Sequence, residues 1–142
     1  MSKGNTFEND LVKLIFAGTA IANIADNAAS SPLTNLYLAL HTADPGEGGS
    51  QTTSECAYTS YARVAVARNS GGFTVSNNTA TLTSNVDFPT ATGGSETATY
   101  FSVGTASSGT GKILYSGAIS PTIAISTGVT PRLTTGTTIT ED

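Results

Sequence analysis

The chain has 142 residues, of which 11% are charged, with a net charge of −4 and a pI near 4.7. That balance excludes the clustered basic face of a nucleic-acid binder, and a single cysteine, Cys56, excludes zinc-finger, iron–sulfur and disulfide scaffolds. Thr and Ser replace the missing charge at about three residues in ten, and with 15 Gly they favour short strands and turns over disorder in a chain of single-domain length.

Phe7, Leu11, Leu14, Ile15, Gly18, Ile21, Ala22 and Ala25 recur at three- and four-residue steps, which predicts an amphipathic helix. Asn5 is placed to cap it, with Glu8 three residues on. Leu14 to Ala22 could also pass for the apolar region of a signal peptide, but Glu8, Asp10 and Lys13 are the wrong charges for one. The run is also too short for a membrane span of about 20 residues.

Beyond Asn27 the apolar period falls to two and turn signals come quickly. Leu36 to His41 reads as a nearly continuous apolar strand, followed by a polar, Gly-rich loop from Asp44 to about Tyr58. Ala62 to Arg68 alternates as a half-buried strand. Asn69-Ser70-Gly71-Gly72 then turns the chain into a return strand at Phe73 to Val75. Thr79 to Leu82, Val86 to Phe88, Thr97 to Thr105 and Lys112 to Ala118 follow, the last two as a hairpin. Ile123 to Ile125, Val129 to Leu133 and Thr137 to Thr140 complete eight or nine strands. The expected fold is mainly β: a jelly-roll-like antiparallel β-sandwich over residues 31–142. The helix and linker of residues 1–30 form a single domain with it.

Catalysis needs convergent polar groups, and the chain offers few. His41, the only histidine, could serve as a base toward Cys56 or a serine, but no flanking motif supports it over a strand-end hydrogen bond. Asp44 and Glu47 sit in an exposed loop, where both would stay ionised and neither would act as the acid of a glycosidase. Tyr58 and Tyr61 suit corner packing better than a sugar platform. Gly104 to Lys112 lacks the phosphate-loop spacing, having Ala106 and Ile113 where Gly and Ser or Thr are required. The reading is therefore not an enzyme. No metal, cofactor, direct nucleic-acid contact or membrane contact is expected.

One combination of segments carries a resemblance. It runs from the N-terminal helix through Leu36-Tyr37-Leu38-Ala39-Leu40-His41-Thr42-Ala43-Asp44-Pro45-Gly46, Tyr61-Ala62-Arg63 and Phe88-Pro89 with Ala91-Thr92. Tyr100 to Gly104, Ile113 to Gly117 and Gly128 to Pro131 complete it. Together these segments resemble a group of small tailed-phage structural proteins, above all capsid cement (decoration) proteins of the Bordetella-phage kind. Relatives of that group carry tail-fibre labels. The resemblance implies a jelly roll, made in the host bacterial cytoplasm, that sits as a homodimer on the outer capsid surface. There it would stabilise contacts between major capsid protein subunits. The alternative is a tail-fibre or receptor-binding module. The candidate capsid or dimer contacts are Phe7 and Leu11 on the helix, Asp44, Pro45, Gly46 and Glu47 in the first loop, and Thr92, Gly93, Gly94 and Glu96 in the second.

Overall fold

The structure is a computed structural model that describes residues 5–21 and 32–141. Its class is the expected one: mainly β, with antiparallel sheets and an N-terminal helix. The strands are β1 (Asn35–His41), β2 (Val64–Ala67), β3 (Phe73–Ser76), β4 (Thr79–Leu82), β5 (Val86–Asp87), β6 (Ser95–Gly104), β7 (Ile113–Ser126), β8 (Arg132–Leu133) and β9 (Thr138–Thr140). They form a four-stranded sheet in the order β2-β1-β6-β7, a three-stranded sheet β3-β4-β9 and a two-stranded sheet β5-β8. Two compact units share the chain discontinuously. The first comprises Met1–Asn35, Val66–Asn85 and Leu133–Asp142, and the second Leu36–Ala65 and Val86–Arg132.

In the first unit, helix α1 runs from Asn5 to Val12 and continues as a π-helical turn, Lys13–Ala17. Gly18 ends it in the left-handed region at φ 66°, which glycine enters without a Cβ clash. The helix is therefore shorter than its apolar spacing predicts, because Gly18 serves as the stop and not as part of the face. Asn5 is already helical, so any cap precedes it, outside the described residues. Ala22 and Ala25, expected on the same face, and the linker also lie outside them. Arg68 donates to the carbonyls of Leu14, Ile15 and Leu33, placing a cation where the terminal carbonyls of the helix concentrate negative charge.

The helix packs on β3 and β4, with Phe16 set edge-on to Phe73 at a centroid distance of 4.8 Å. Register then sorts the sheet by period two. Phe73 faces Leu82, and Ala80 faces Ile139, on the buried side. Thr74 opposite Thr81, Thr79 opposite Thr140 and Thr81 opposite Thr138 form a threonine ladder on the other side. Part of the chain's threonine excess is thus a solvated sheet face. The return strand after Gly72 pairs forward with β4 through a two-residue Asn77-Asn78 turn, so the hairpin lies after β3 and not before it.

In the second unit β1 lies antiparallel to β6, pairing Leu38 with Val103 and Leu40 with Phe101 on one buried face. The opposite face carries Ala39, His41 and Ser102, also buried. The strands expected at Lys112 to Ala118 and Ile123 to Ile125 are one strand, β7. Its ladder with β6 skips from Ala98–Ile123 to Tyr100–Ala118, so the segment 119–122 bulges out with Pro121 in it. Proline is tolerated there because an edge strand at a bulge needs no N–H from it.

Candidate functional site

After His41 the chain leaves the sheet and returns across the face that bears Ala39, His41 and Ser102. Gln51 is the plug of this loop, fully buried although polar. Its Nε2 donates to the carbonyl of Tyr37, its Oε1 accepts from the Ala106 N–H at 2.9 Å, and its own N–H donates to the Gly111 carbonyl. Gly104 and Gly111 make the space, since a Cβ at either would overlap the Gln51 side chain. Thr42 N–H to Ser54 O and Cys56 N–H to Leu40 O tie the loop to the end of β1.

Beside the plug, Arg63 donates two bonds to Glu55, Nε to Oε1 at 2.7 Å and Nη2 to Oε2 at 2.8 Å. The side chains are 2% and 16% exposed. Arg63 also donates to the carbonyls of Ala106 and Gly109, fastening the β6–β7 turn. Tyr61 completes the network by donating to Glu55 Oε1 while accepting from the Leu40 N–H. Burial is the main cause that pushes the Tyr61 phenol well above its usual pKa, so the hydroxyl remains a donor. The bonds to Glu55 hold the Arg63 guanidinium above its ordinary value.

A second brace holds the loop at 92–96. Glu96 Oε1 accepts from the backbone N–H groups of Ala57 and Tyr58, both at 2.8 Å. Thr59 N–H donates to Gly93 O, Thr92 N–H to Thr59 O, and Ser60 and Thr92 share a hydroxyl hydrogen bond. Tyr58 is buried with its hydroxyl on the Pro89 carbonyl, and its ring meets Tyr61 edge-on at 5.3 Å while Tyr61 stacks on Phe88. These tyrosines are packing residues, as their spacing before a strand suggested.

The candidate contacts divide accordingly. Asp44, Gly46 and Glu47 are exposed at a tight turn in which Asp44 Oδ1 accepts the Gly46 N–H, and Gly46 holds φ at 69°. Pro45 is buried inside that turn. Thr92 and Gly94 are exposed, Gly93 is half-buried, and Glu96 is committed to the two amides it braces. The 92–96 loop meets residues 57–60 and has no hydrogen bond to the 44–47 turn among the described residues. Phe7, 39% exposed, and Leu11, half-buried, belong to the other unit. Sequence reasoning missed Gln51, Glu55 and Arg63. The alternation sets Arg63 with Ala65 and Ala67, opposite Val64 and Val66, so the pattern carried no sign that this arginine is buried just ahead of β2.

His41 and Ser102 do converge, with Nε2 and Oγ 2.8 Å apart, and Nδ1 lies 2.8 Å from the Thr53 carbonyl. A carbonyl only accepts, so Nδ1 carries the proton and Ser102 donates to Nε2. The pair has nucleophile–base spacing, yet both residues are fully buried, and Ser102 spends its proton on the ring in the orientation that bridges sheet and loop. Cys56, also buried, has its thiol pushed up to about 12 chiefly by desolvation, which keeps it protonated. Among the described residues no group of three or more His, Cys, Asp or Glu could hold a metal ion, and no helix is long and apolar enough to cross a membrane.

No curated protein matches this chain. A family model described as podophage GP4 fiber I protein gp80 matches residues 2–141, nearly the whole length, helix and both braced loops included. The chain therefore belongs to this family of phage structural proteins.

Proposed function

We propose that the chain is a capsid cement protein, not an enzyme, which sits as a homodimer on the outside of an icosahedral phage shell and bridges major capsid protein subunits. The observation that supports this most is the bracing of its exposed loops. The turn at Asp44, Gly46 and Glu47 and the tip at Thr92 and Gly94 stand on segments fixed by Gln51, by Glu55–Arg63 and by Glu96. A loop already held in one conformation loses little entropy on docking, and at the second tip Thr92 and Gly94 carry no charge to desolvate. Many copies with two contacts each would reinforce a shell through avidity, even at modest affinity per site.

The fibre reading has its own support in the description of the family, and the two differ in stoichiometry. Quantifying the chain against the major capsid protein in purified virions tests them. A simple fraction of the capsid copy number is the expected result, and a handful of copies per particle transfers the chain to the tail. Gly48→Arg then probes the turn. A Cβ there meets open space, so the substitution adds charge without strain, and it is expected to reduce co-sedimentation with shells.

A further inference from the structure

We propose that the first unit carries a binding groove for a neutral saccharide beside the N-terminal turn of α1. The proposal is independent of the cement reading and holds wherever in the virion the chain sits. The groove has a volume of about 430 Å³ and is lined by Asn5, Thr6, Glu8 and Asn9 from the helix and by Asn77 and Asn78 from the β3–β4 turn. Its size lies in the range that takes small ligands, roughly 300–1,000 Å³.

The lining selects the chemistry. The lining residues are four asparagines, a threonine and a glutamate, with no cation and no large apolar side chain among them, so neither an anion nor a lipid is matched. A primary amide presents a donor pair and an acceptor, and a carboxylate accepts twice. Sugar hydroxyls, each a donor and an acceptor, are their complement. Asn9 adds an independent observation: its Oδ1 is buried without any hydrogen-bond partner. Buried polar atoms are nearly always satisfied. A rotation of the Asn9 amide about its soft terminal torsion would let a hydroxyl from the groove supply the bond this oxygen lacks. Asn77 is held at φ 54°, a conformation rare for side-chain-bearing residues, which fixes one wall at the hairpin turn. Asn78 is fixed by Nδ2 donating to the Glu141 carbonyl.

The test is a titration of the isotopically labelled full chain with glucose, galactose, mannose, N-acetylglucosamine, maltose and lactose, followed by side-chain amide resonances. For at least one sugar, saturable shifts confined to 5–9 and 77–78 are expected, with a dissociation constant on the order of 1 mM. Asn9→Ala removes the unpartnered acceptor, and Asn77→Gly removes a side chain where glycine suits the backbone, so neither variant threatens the fold. Each should weaken binding by about tenfold. The proposal is overturned by the absence of saturable shifts with every sugar, or by shifts that both variants leave intact. Shifts produced by calcium chloride and by no sugar would make the groove a cation site and overturn it equally.

Discussion

Two arginine–carboxylate pairs of the same geometry sit in opposite surroundings. Arg63 and Glu55 make two charge-assisted bonds with side chains 2% and 16% exposed, whereas Arg132 and Asp87 make the same two bonds at 53% and 46%. The first pair has been stripped of water and must find every partner inside the protein. It does so through Tyr61 and the carbonyls of Ala106 and Gly109. The second competes with water at every moment and is free to separate. Identical chemistry is thus structural foundation in one place and surface decoration in the other, and burial alone decides which.

The largest way to break the comparison is Arg63→Met. It leaves Glu55 with a buried, uncompensated charge and should destabilise by about 3–5 kcal/mol in chemical denaturation. The double variant Glu55→Leu/Arg63→Met should recover most of that loss, because no stranded charge remains; if it does not, the network matters for geometry and not for charge. Next comes Gly104→Ala, whose methyl overlaps Gln51 and should cost about 1–3 kcal/mol. Adding Gln51→Ala should relieve part of it, and strictly additive losses would show that the plug and the glycine are uncoupled.

A smaller effect is read along pH. Desolvation, more than any neighbouring charge, holds His41 below its ordinary pKa, so the folded protein keeps the ring neutral while the unfolded chain takes a proton. Stability should therefore fall as pH drops from about 7 toward 5, and His41→Asn should flatten that slope in urea midpoints. The smallest change is expected from Asp87→Asn. Arg132 holds the Asp87 carboxyl below its usual range, so stability from the pair exists at neutral pH and fades in acid. Exposure to water and solvent screening should nevertheless leave the denaturation midpoint within scatter. A loss as large as that of Arg63→Met would end the distinction between the two sites.

The sequence made local structure readable wherever one element's own pattern decided it. Leu36 to His41 carried a strand in its apolar run, Asp44-Pro45-Gly46 a turn, and Phe7 to Leu11 the start of a helix face. It hid what depends on space created elsewhere. Gln51 reads as one polar residue in a polar loop, and only Gly104 and Gly111, more than fifty residues on, make the hole that buries it. Pro121 reads as a strand breaker, yet β7 continues past it, because the strand is bulged there and lies at the sheet's edge. Of the candidate contacts, the exposure of Asp44, Gly46 and Glu47 followed from turn chemistry. The brace at Glu96 could not be read, because its partners are the amides of Ala57 and Tyr58, far away in the chain.

The bulge in β7 has a bearing on crowding. From Ile113 to Ser126 the strand carries no charged residue, and in the described sheet it has a neighbour on one side only. A straight, uncharged edge of that length is a template on which another chain's strand can add, and natural edges usually discourage this with lysine. Here the interruption at 119–122 and the missing N–H of Pro121 divide the edge into two shorter stretches. The edge thus offers another strand a shorter unbroken run than its fourteen residues would, without placing a single charge on that margin of the sheet.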